Sequence, residues 1–405
     1  MNNIELENIK WQGFKRKNGK IGIRNKILVI YTVECASFVA KEIARISNDK
    51  NIDVVGFSGC TDNDYAIRLL ISLIRHPNIG AVLAVGLGCE YVQPEKLSNI
   101  AKEEEKITDW LFIQNEGGTK KAISKGLDII KKMQEDIKNT ERIEMGFSDL
   151  IIGAECGGSD YTSGLAGNTV VGAFNDKLVD NGGIAVFEEI VEAVGLIDLL
   201  KDRAVNEEVK NELVRTYDKA MEYCKSVHQY SISPGNFVGG LSTIEEKSMG
   251  AVVKSGSRKI EGVLKVGEQV KKKGLWLLDT TPDPHFMQFG ITNPNDNEGI
   301  IDLISVGAHI VFLVTGRGNV VGSAVSPVIK ITGNHNTYEK MIDDMDFDAS
   351  PMLYEANKLS ELTDDLIKLV IDVSSGMETK AEKLGHKEYF IPYKYQDLKC
   401  KENNN

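Results

Sequence analysis

Four cysteines stand out because each follows a short apolar run that is typical of a buried strand. They are Cys35 after ILVIYTVE, Cys60 after VVGFSG, Cys89 after AVLAVGLG and Cys156 after LIIGAE. A single free cysteine commonly behaves as a small buried hydrophobe. Four cysteines that recur in the same strand-to-helix position instead favour metal binding or a reactive thiolate. The chain therefore presents four candidate metal ligands.

Carboxylates accompany three of these cysteines in the sequence. Glu34, Glu90 and Glu155 are each the direct neighbour of one of them. A mixed set of thiolates and carboxylates suits a first-row transition metal such as Fe²⁺ or Mn²⁺. Three or four thiolates could alternatively hold an iron–sulfur cluster. The close cysteine spacing of many cluster proteins is absent, so cluster ligands would have to converge from separate loops.

Two glycine-rich turns are candidate anion sites. Gly117, Gly118 and Thr119 precede a predicted helix, and Ser159 and Asp160 follow a glycine pair. Free N–H groups at a helix N-terminus attract a carboxylate or a phosphate, so all five are candidate substrate-binding residues. The alternative is an ordinary tight turn, because neither segment matches a P-loop or the full dinucleotide fingerprint.

Charged side chains in the second half are candidate catalytic residues. Thr315, Gly316 and Arg317 follow the predicted strand His309–Val314. Thr315 and Gly316 are candidate substrate-binding residues, and the arginine could clamp a substrate carboxylate. Lys247 lies in a loop-rich region and could act as a base or stabilise negative charge. The alternatives are a surface salt bridge for the arginine and a solvated lysine.

The elements that must position these residues predict an α/β fold. Short, almost continuous apolar runs alternate with helical patterns, which is typical of a parallel sheet covered on both faces. We predict a doubly wound, parallel-sheet domain over residues 1–230, which carries the cysteine motifs. A second α/β domain with the TGRG loop would follow over residues 231–384, and a polar tail over 385–405. Ligands of such sheets bind outside the carboxyl ends of the strands.

Composition narrows the class of protein. The 405 residues are 42% hydrophobic and 26% charged, which is typical of a globular protein, and the net charge of −11 disfavours nucleic-acid binding. No apolar run approaches the length of a membrane span or resembles a signal peptide. We therefore expect a cytoplasmic protein whose cysteines are reduced.

A series of motifs in one order resembles a known family. From about Gly13 to Ser350 the chain is similar to the altronate/galactarate dehydratase family, which includes the large subunit of sulfolactate sulfo-lyase. The matching motifs are GFKRKNGKIGIRN, TVECAS, SGC, HPNIGAVLAVGLGCE, QNEGGTKKAI, IIGAECGGSDYTSGLAGN, SPGNFVGGLSTIEEKSMG, LDT, TGRG and DDMD.

The resemblance implies a dehydratase of altronate or a related aldonic or aldaric acid. Such an enzyme needs Fe²⁺ or a similar metal, removes the proton α to a carboxylate and expels the β-hydroxyl, which gives a 2-keto-3-deoxy acid. Within the motifs, Arg24, Asn25 and Asn236 are candidate substrate-binding residues, and Glu90 and Asp279 are candidate catalytic residues. The alternatives are a sulfo-lyase acting on sulfolactate and a non-catalytic metal- or ligand-binding subunit.

Three departures from the family pattern shape these expectations. Single-chain members begin with a small β-rich SAF-type domain, whereas the similarity here begins at Gly13, so the resemblance implies a separate small SAF-domain subunit. We also expect a homo-oligomer. The stretch VVGFSGC has no histidine where many members carry one. The segment from Thr281 to Gly299 is longer than usual and adds His285.

Overall fold

The computed structural model describes residues 6–227, 234–284 and 295–396, and the strands within them form three sheets. The strands are β1 Lys10–Lys15, β2 Ile21–Gly22, β3 Lys26–Tyr31, β4 Ile52–Gly56, β5 Ile79–Gly86, β6 Ile107–Phe112, β7 Arg142–Gly146, β8 Ile151–Cys156, β9 Ile184–Phe187, β10 Ile260–Lys265, β11 Gly274–Asp279, β12 Ile310–Thr315, β13 Val328–Thr332 and β14 Phe347–Asp348. The helices are α1 Glu34–Ser47, α2 Asp64–Arg75, α3 Pro94–Glu103, α4 Thr119–Asp136, α5 Asn168–Asp180, α6 Ile197–Lys201, α7 Glu207–Ser226, α8 Pro234–Val238, α9 Ile244–Val253, α10 Asp296–Ser305, α11 His335–Lys340, α12 Leu359–Ser374 and α13 Lys380–Leu384.

The first parallel sheet has four strands in the order β4-β3-β5-β6. Every residue of β3 and β5 is buried, because helices cover both faces of the sheet. Successive residues of β3 point to opposite faces: Val29 packs in a core with α1 and α4, and Leu28 in a core with α2 and α3. The predicted doubly wound parallel sheet is confirmed.

The second parallel sheet has seven strands in the order β10-β11-β9-β8-β12-β13-β14. Phe174 of α5 and Leu366 of α12 belong to the core on one face. Ile300 of α10 belongs to the core on the other face, together with residues of α2 and of the four-stranded sheet. One hydrophobic core therefore lies between the two parallel sheets and fixes their edges relative to each other.

The division between the sheets falls earlier in the chain than residue 230. Strands β8 and β9, which the sequence prediction placed in the first domain, are hydrogen-bonded between β11 and β12 near the centre of the seven-stranded sheet. The predicted boundary therefore cuts through one sheet. Apolar periodicity identifies a buried strand but carries no information about which strands pair with it.

The segment after residue 385 is a packed part of the fold as far as residue 396. Lys394 and Gln396 are buried, and the Gln396 side-chain amide donates hydrogen bonds to the carbonyl oxygens of Asp279 and Thr281 at 2.6 and 3.1 Å. The prediction of a polar tail from residue 385 is therefore wrong for this part. Its polar residues are buried because they bind carbonyl groups and carboxylates of the second sheet.

A small antiparallel sheet of β2, β1 and β7 is the third sheet of the described residues. Trp11 of β1 packs edge-on against Phe147, with ring centroids 5.9 Å apart, which attaches this sheet to the core of the seven-stranded sheet. None of the described helices has both the length and the apolar character that crossing a membrane requires.

Candidate active site

A cavity of about 440 Å³ opens at the carboxyl ends of β8, β9 and β11, beside the N-terminus of α10. This edge is where α/β sheets bind their ligands. The cavity is lined by the carboxyl groups of Glu155, Glu188, Glu189, Glu192, Asp296 and Glu298. Two lysines also line it, Lys247 from α9 and Lys394 from the C-terminal segment. It is therefore a polar, mainly acidic site.

Local sequence places the acidic residues at this edge. Glu188 and Glu189 follow β9 directly, so they leave the sheet at its carboxyl end. The Asn295 side chain caps α10 by accepting backbone N–H groups of its first turn, and Asp296 and Glu298 lie in that turn. Carboxylates at a helix N-terminus are stabilised by the helix dipole.

Three of the carboxylates form a compact group, since oxygen atoms of Glu155, Glu188 and Glu189 lie within 4.8 Å of one another. Burial, and then the charge of Glu188, raise the pKa of Glu155 well above its usual range. The Oε2 atom of Glu155 is buried and has no hydrogen-bond partner among the described residues. An unpaired buried carboxylate oxygen is unfavourable, so this carboxylate trio fits a positively charged ligand.

The trio is held by backbone donors and by a lysine. Glu189 has a left-handed φ of 68°, which costs free energy for a residue with a side chain and is common at functional sites. Its carboxylate accepts a hydrogen bond from the Cys156 backbone N–H at 3.1 Å and contacts the Lys254 ammonium. Glu188 accepts hydrogen bonds from the Glu189 N–H at 2.8 Å and from the Thr280 hydroxyl at 3.2 Å.

A glycine allows helix α10 to approach the trio. A Cβ atom at Gly299 would lie 2.5 Å from Glu188 Oε1 and 2.6 Å from Glu155 Oε2. Both distances are shorter than any normal contact, so a side chain here would displace the two carboxylates. Glycine at this position is therefore a requirement of the site's geometry.

A buried ion pair forms the second part of the site. Lys247 Nζ lies 2.7 Å from Glu192 Oε2 and donates a hydrogen bond to Ser159 Oγ at 2.9 Å. Burial by itself would lower the pKa of Lys247, but the Glu192 carboxylate raises it above its usual value. Burial raises the pKa of Glu192 to about 7, although Lys247 opposes that shift. A carboxyl group with this pKa can accept or release a proton near neutral pH.

The balance of charge favours a cation at this site. Six carboxyl groups line the cavity, and the nearby ammonium groups are Lys247, Lys254 and Lys394. This excess of carboxyl groups would repel an anionic substrate unless a bound cation offset it. Oxygen ligands suit Mg²⁺, Mn²⁺ or Fe²⁺. The carboxylate trio is thus the part of the described structure that best fits a divalent metal.

Part of the predicted site is found in this cavity. The predicted residues that line it are Cys156, Ser159, Asn236 and Lys247. The Cys156 sulfur is buried and lies 3.4 Å from Lys254 Nζ, so it helps to hold the lysine that contacts the trio. Four positions from three segments, taken from motifs and strand ends alone, therefore meet at one site.

Asp279 was a predicted catalytic residue, but it is part of a buried charge cluster outside the cavity. Its carboxylate accepts a hydrogen bond from Lys219 at 2.5 Å and contacts Lys265. Burial by itself would raise the pKa of Asp279, but the two lysines lower it to about 2. A fully paired carboxylate with so low a pKa is a poor proton acceptor, so its role here is to hold the end of β11.

Glu90 and Arg317 do not line the cavity either. Glu90 lies on the four-stranded sheet, where its oxygens accept hydrogen bonds from the Thr32 hydroxyl and from the backbone N–H groups of Leu87 and Gly88. Burial by itself would raise the pKa of Glu90, but these hydrogen bonds together lower it. Arg317 is exposed and is not among the described lining residues. Neither position supports the predicted catalytic role.

Arg24 and Asn25 bind protein groups rather than the cavity. The Arg24 guanidinium pairs with Glu382 at 2.9 Å and donates to two backbone carbonyl groups. Asn25 donates to the Thr140 hydroxyl at 3.1 Å. Both side chains join distant segments of the chain, so a motif position that was predicted to bind substrate is structural here.

The TGRG loop, from Thr315 to Gly318, is hydrogen-bonded to the turn that lines the cavity. Thr315 Oγ1 and the Gly316 N–H both donate to the Gly158 carbonyl oxygen, each at 3.2 Å. Asp160 accepts a hydrogen bond from the Thr162 N–H at 2.8 Å and so fixes the next turn. These three predicted binding residues therefore shape the Gly158 turn, which lines the cavity.

The remaining predicted positions lie at the edge of the four-stranded sheet. Gly117, Gly118 and Thr119 form the start of α4, which follows β6. The predicted metal ligands there are Cys35, Cys60 and Cys89, all of them exposed. They do not share an edge with Cys156, which ends a strand of the seven-stranded sheet. Apolar periodicity does not show which strands share a sheet, so the sequence could not separate the four cysteines.

Several lining residues were missed by the sequence prediction. They are Glu188, Glu189, Glu192, Asp296, Glu298 and Lys394. A usable signal existed for two of them, because Glu188 and Glu189 directly follow the apolar run Ile184–Phe187. Glu192 lies in the short 3₁₀ helix after them, and the others come from a helix start and from the C-terminal segment, where no strand end marks them. His285 lies outside the described residues.

The fold and the cavity define an α/β enzyme with a buried acidic site at the carboxyl edge of a parallel sheet. Residues 147–396 match the model of D-galactarate/altronate dehydratase, C-terminal, and residues 13–138 match that of D-galactarate dehydratase/altronate hydrolase, second domain. The chain belongs to the D-galactarate/altronate dehydratase family and is an enzyme of the hydro-lyase class.

Curated relatives extend over most of the chain. An altronate dehydratase of Bacillus subtilis is 32% identical over 95% of this chain and 78% of its own length. An altronate dehydratase of Escherichia coli is 31% identical, over 94% and 77%. The subunit beta of a (2R)-sulfolactate sulfo-lyase from Chromohalobacter salexigens is 28% identical over 97% of this chain and 100% of its own length.

Proposed function

We propose that this protein is a metal-dependent dehydratase that converts an aldonic or aldaric acid, such as altronate, into a 2-keto-3-deoxy acid. The observation that carries the proposal is the buried trio of Glu155, Glu188 and Glu189 in the same cavity as the Lys247–Glu192 pair. A cavity of about 440 Å³ accommodates a six-carbon acid. The names of the relatives support the same reaction.

In this proposal the carboxylate trio holds a divalent metal, Fe²⁺ or Mn²⁺. When bound, the metal would neutralise the substrate carboxylate and so make the α-proton more acidic. The unpaired Oε2 atom of Glu155 supports this assignment, because a cation would satisfy it. Lys254 contacts Glu189 and Lys394 pairs with Glu298 at 2.6 Å, so the protein supplies further positive charge around the site.

The Lys247–Glu192 pair supplies the acid and the base. Glu192, whose pKa is about 7, accepts the proton from C2 of the substrate. The Lys247 ammonium donates a proton to the C3 hydroxyl as the C3–O bond breaks and water leaves. The electrons of the C2–H bond form the C2=C3 double bond. The resulting enol then loses the proton of its C2 hydroxyl group and gains a proton at C3, which gives the 2-keto acid.

The contact between Lys247 and Glu192 restores the starting protonation state of both residues after each turnover. After elimination, Glu192 carries the proton taken from the substrate and Lys247 is a neutral amine. Their side chains lie 2.7 Å apart, so the proton returns from the carboxyl group to the amine directly. Ser159 accepts a hydrogen bond from Lys247 and keeps it oriented during this exchange. Asn236 and Ser159 would bind hydroxyl groups of the substrate.

We further propose that the chain functions as a homo-oligomeric main subunit together with a small SAF-domain subunit. The full-length similarity to a protein named subunit beta supports a two-subunit enzyme. Co-expression with a candidate small subunit, followed by co-purification and activity measurement, tests this. A main subunit with full activity alone would contradict it.

The substrate assay tests the function directly. Purified protein is loaded anaerobically with Fe²⁺ or Mn²⁺, with and without its small partner, and incubated with altronate, galactarate, other sugar acids and (2R)-sulfolactate. Release of a 2-keto acid from a sugar acid, abolished by a chelator and restored by the metal, supports the proposal. Sulfite release from sulfolactate alone would establish the sulfo-lyase alternative. Product formation that is insensitive to chelation would exclude the metal.

A further inference from the structure

Cys35, Cys60 and Cys89 follow three strands that are neighbours in the four-stranded sheet. They lie three or four residues beyond the last residues of β3, β4 and β5, and the sheet order β4-β3-β5 places these strand ends side by side. Adjacent strands are about 4.8 Å apart. The three cysteine loops therefore leave the sheet at one edge, next to one another.

Hydrogen bonds join these loops to each other. The Ser58 hydroxyl in the loop after β4 donates to Glu34 Oε2 at the start of α1, at 2.9 Å. The Cys60 carbonyl oxygen accepts a hydrogen bond from the Tyr91 N–H, which follows β5, at 2.9 Å. The loop of Cys60 is thus attached to both of the other cysteine loops.

The buried Glu90 carboxylate joins the remaining pair. Its Oε1 atom accepts hydrogen bonds from the Thr32 hydroxyl at 2.6 Å and the Leu87 N–H at 3.0 Å, and Oε2 accepts the Gly88 N–H at 2.8 Å. Since Thr32 follows β3 and Glu90 follows β5, this carboxylate ties the first and third loops. Its oxygens are already bonded, so it positions the loops and leaves the thiols as the groups able to bind a ligand.

The three thiols differ from the other described cysteines in their exposure. Cys35, Cys60 and Cys89 are exposed, and their sulfur atoms have no hydrogen-bond partner within the described residues. Cys156 and Cys224 are buried at 4% and 1% exposure. Free cysteine is among the residues most often buried, so three exposed thiols on fixed, neighbouring loops need a reason other than packing.

The sulfur atoms do not form the compact group that a single metal ion would require. One tetrahedral ion bound by thiolates holds its sulfurs about 3.8 Å apart, because each metal–sulfur bond is about 2.3 Å. Within the described residues no three cysteine sulfurs lie within 4.8 Å of one another. In an iron–sulfur cluster each thiolate binds a different iron, which separates the sulfurs further.

We propose that Cys35, Cys60 and Cys89 bind a 4Fe–4S cluster, as a site separate from the carboxylate trio. Three thiolates would ligate three of the irons, and the fourth iron would remain available to a hydroxyl or carboxylate group. The cluster is assembled from ferrous and ferric iron in equal amounts and sulfide, which gives the 2+ state of the cluster without a net transfer of electrons, and the thiols lose their protons when they bind iron.

The C-terminal segment connects this edge to the cavity. The Tyr389 hydroxyl donates to the Tyr31 hydroxyl at 2.7 Å, and the Asn63 side chain donates to the Lys394 carbonyl oxygen at 3.0 Å. Lys394 in turn pairs with Glu298 in the cavity. A cluster that stabilises the cysteine loops therefore also stabilises the segment that supplies Lys394, and it raises the melting temperature.

Anaerobic reconstitution of the full chain tests the proposal. The protein is incubated with equal amounts of Fe²⁺ and Fe³⁺ and with sulfide, then desalted. It is assayed for iron, acid-labile sulfide, visible charge-transfer absorbance and the electron paramagnetic resonance of the reduced form. We expect four irons and four sulfides per chain, and a loss of at least half of both in each of the variants C35S, C60S and C89S. The matched control C224S, a buried cysteine of the other sheet, should load like the wild type.

Three outcomes would overturn the proposal. They are iron uptake without labile sulfide, stoichiometric zinc binding that excludes iron, and equal loading of C60S and the wild type. Circular dichroism on each unloaded variant separates a lost ligand from a lost fold. The variant E188Q separates this proposal from the dehydratase, because it should keep the cluster and lose turnover. Each of the three outcomes would leave the proposed function intact, because dehydration is proposed at the carboxylate trio.

Discussion

The two parallel sheets carry different chemistry at their carboxyl edges. At the seven-stranded sheet, carboxylates such as Glu155 and Glu188 are buried around a cavity and balanced by lysines. At the four-stranded sheet the cysteine thiols are exposed, and the carboxylate of Glu90 accepts hydrogen bonds that hold the loops together. The carboxyl edges of the two sheets therefore present different side chains: buried carboxylates at one edge and exposed thiols at the other.

The difference shows how burial decides what a side chain can do. A buried carboxyl group changes its affinity for protons, as Glu192 does with a pKa of about 7, and this prepares it for proton transfer. An exposed thiol such as Cys60 is free to bind an external partner, and rigid loops fix where it lies. In our two proposals the first edge carries the acid–base chemistry and the second edge binds iron.

Loss of one carboxylate of the trio should have the largest effect. We expect Glu188→Gln to lower kcat/KM for the sugar acid about 10³-fold, because the site loses charge stabilisation of the transition state. Release of 2-keto acid measures this. The control is Glu135→Gln, an exposed carboxylate paired with Lys138, which should be unchanged. An E188Q enzyme within tenfold of the wild type would show that the chemistry lies at the other edge.

Asp279→Asn should destabilise the fold. The buried lysines Lys219 and Lys265 would lose their shared carboxylate, which costs about 3 kcal/mol in the free energy of unfolding. Since the pKa of Asp279 is depressed to about 2, its contribution to stability is fully present above the ordinary aspartate pKa of 3.8 and is lost as the pH falls through 2. Urea unfolding at neutral pH measures the change, and Asp198→Asn at an exposed position is the control. If Asp279→Asn instead has normal stability but no turnover, the predicted catalytic role of Asp279 would be supported.

The pH dependence of kcat should follow the ionisation of Glu192. The base is active when deprotonated, and burial places its pKa at about 7, so kcat should fall about tenfold per pH unit below 7. Glu192→Gln should leave a residual rate without this inflection. An inflection that persists in E192Q would assign the base to another group of the cavity.

Cysteine substitutions in the metal-free protein should have the smallest effect, a change in the free energy of unfolding that can be compared between the two sheet edges. Cys60→Ser should change the free energy of unfolding by less than about 0.5 kcal/mol, because the side chain is exposed. Cys156→Ala should cost about 1–3 kcal/mol, since the sulfur is buried against Lys254. Equal costs measured by urea unfolding would contradict the distinction between an exposed and a packed thiol.

Much of the fold could be predicted, because its strands are buried on both faces and read as apolar runs. The apolar runs before Cys35 and Cys89, which are typical of buried strands, correspond to β3 and β5. The pairing of strands could not be predicted, and the boundary at residue 230 was wrong for that reason. Lys247 and Cys156 were found because they lie in motifs, whereas Lys394 was missed because a polar C-terminal sequence gives no sign that it is buried.

The sequence by itself determined the fold class, the strand ends at which functional groups lie, and, through its motifs, the family. Those properties are encoded locally, in apolar periodicity and in short runs of residues. Only the tertiary structure decided that Cys156 belongs with the carboxylates of β9 and α10, and that Cys35, Cys60 and Cys89 belong together on another sheet. Neighbours in space come from strand order and helix packing, which join residues far apart in the chain.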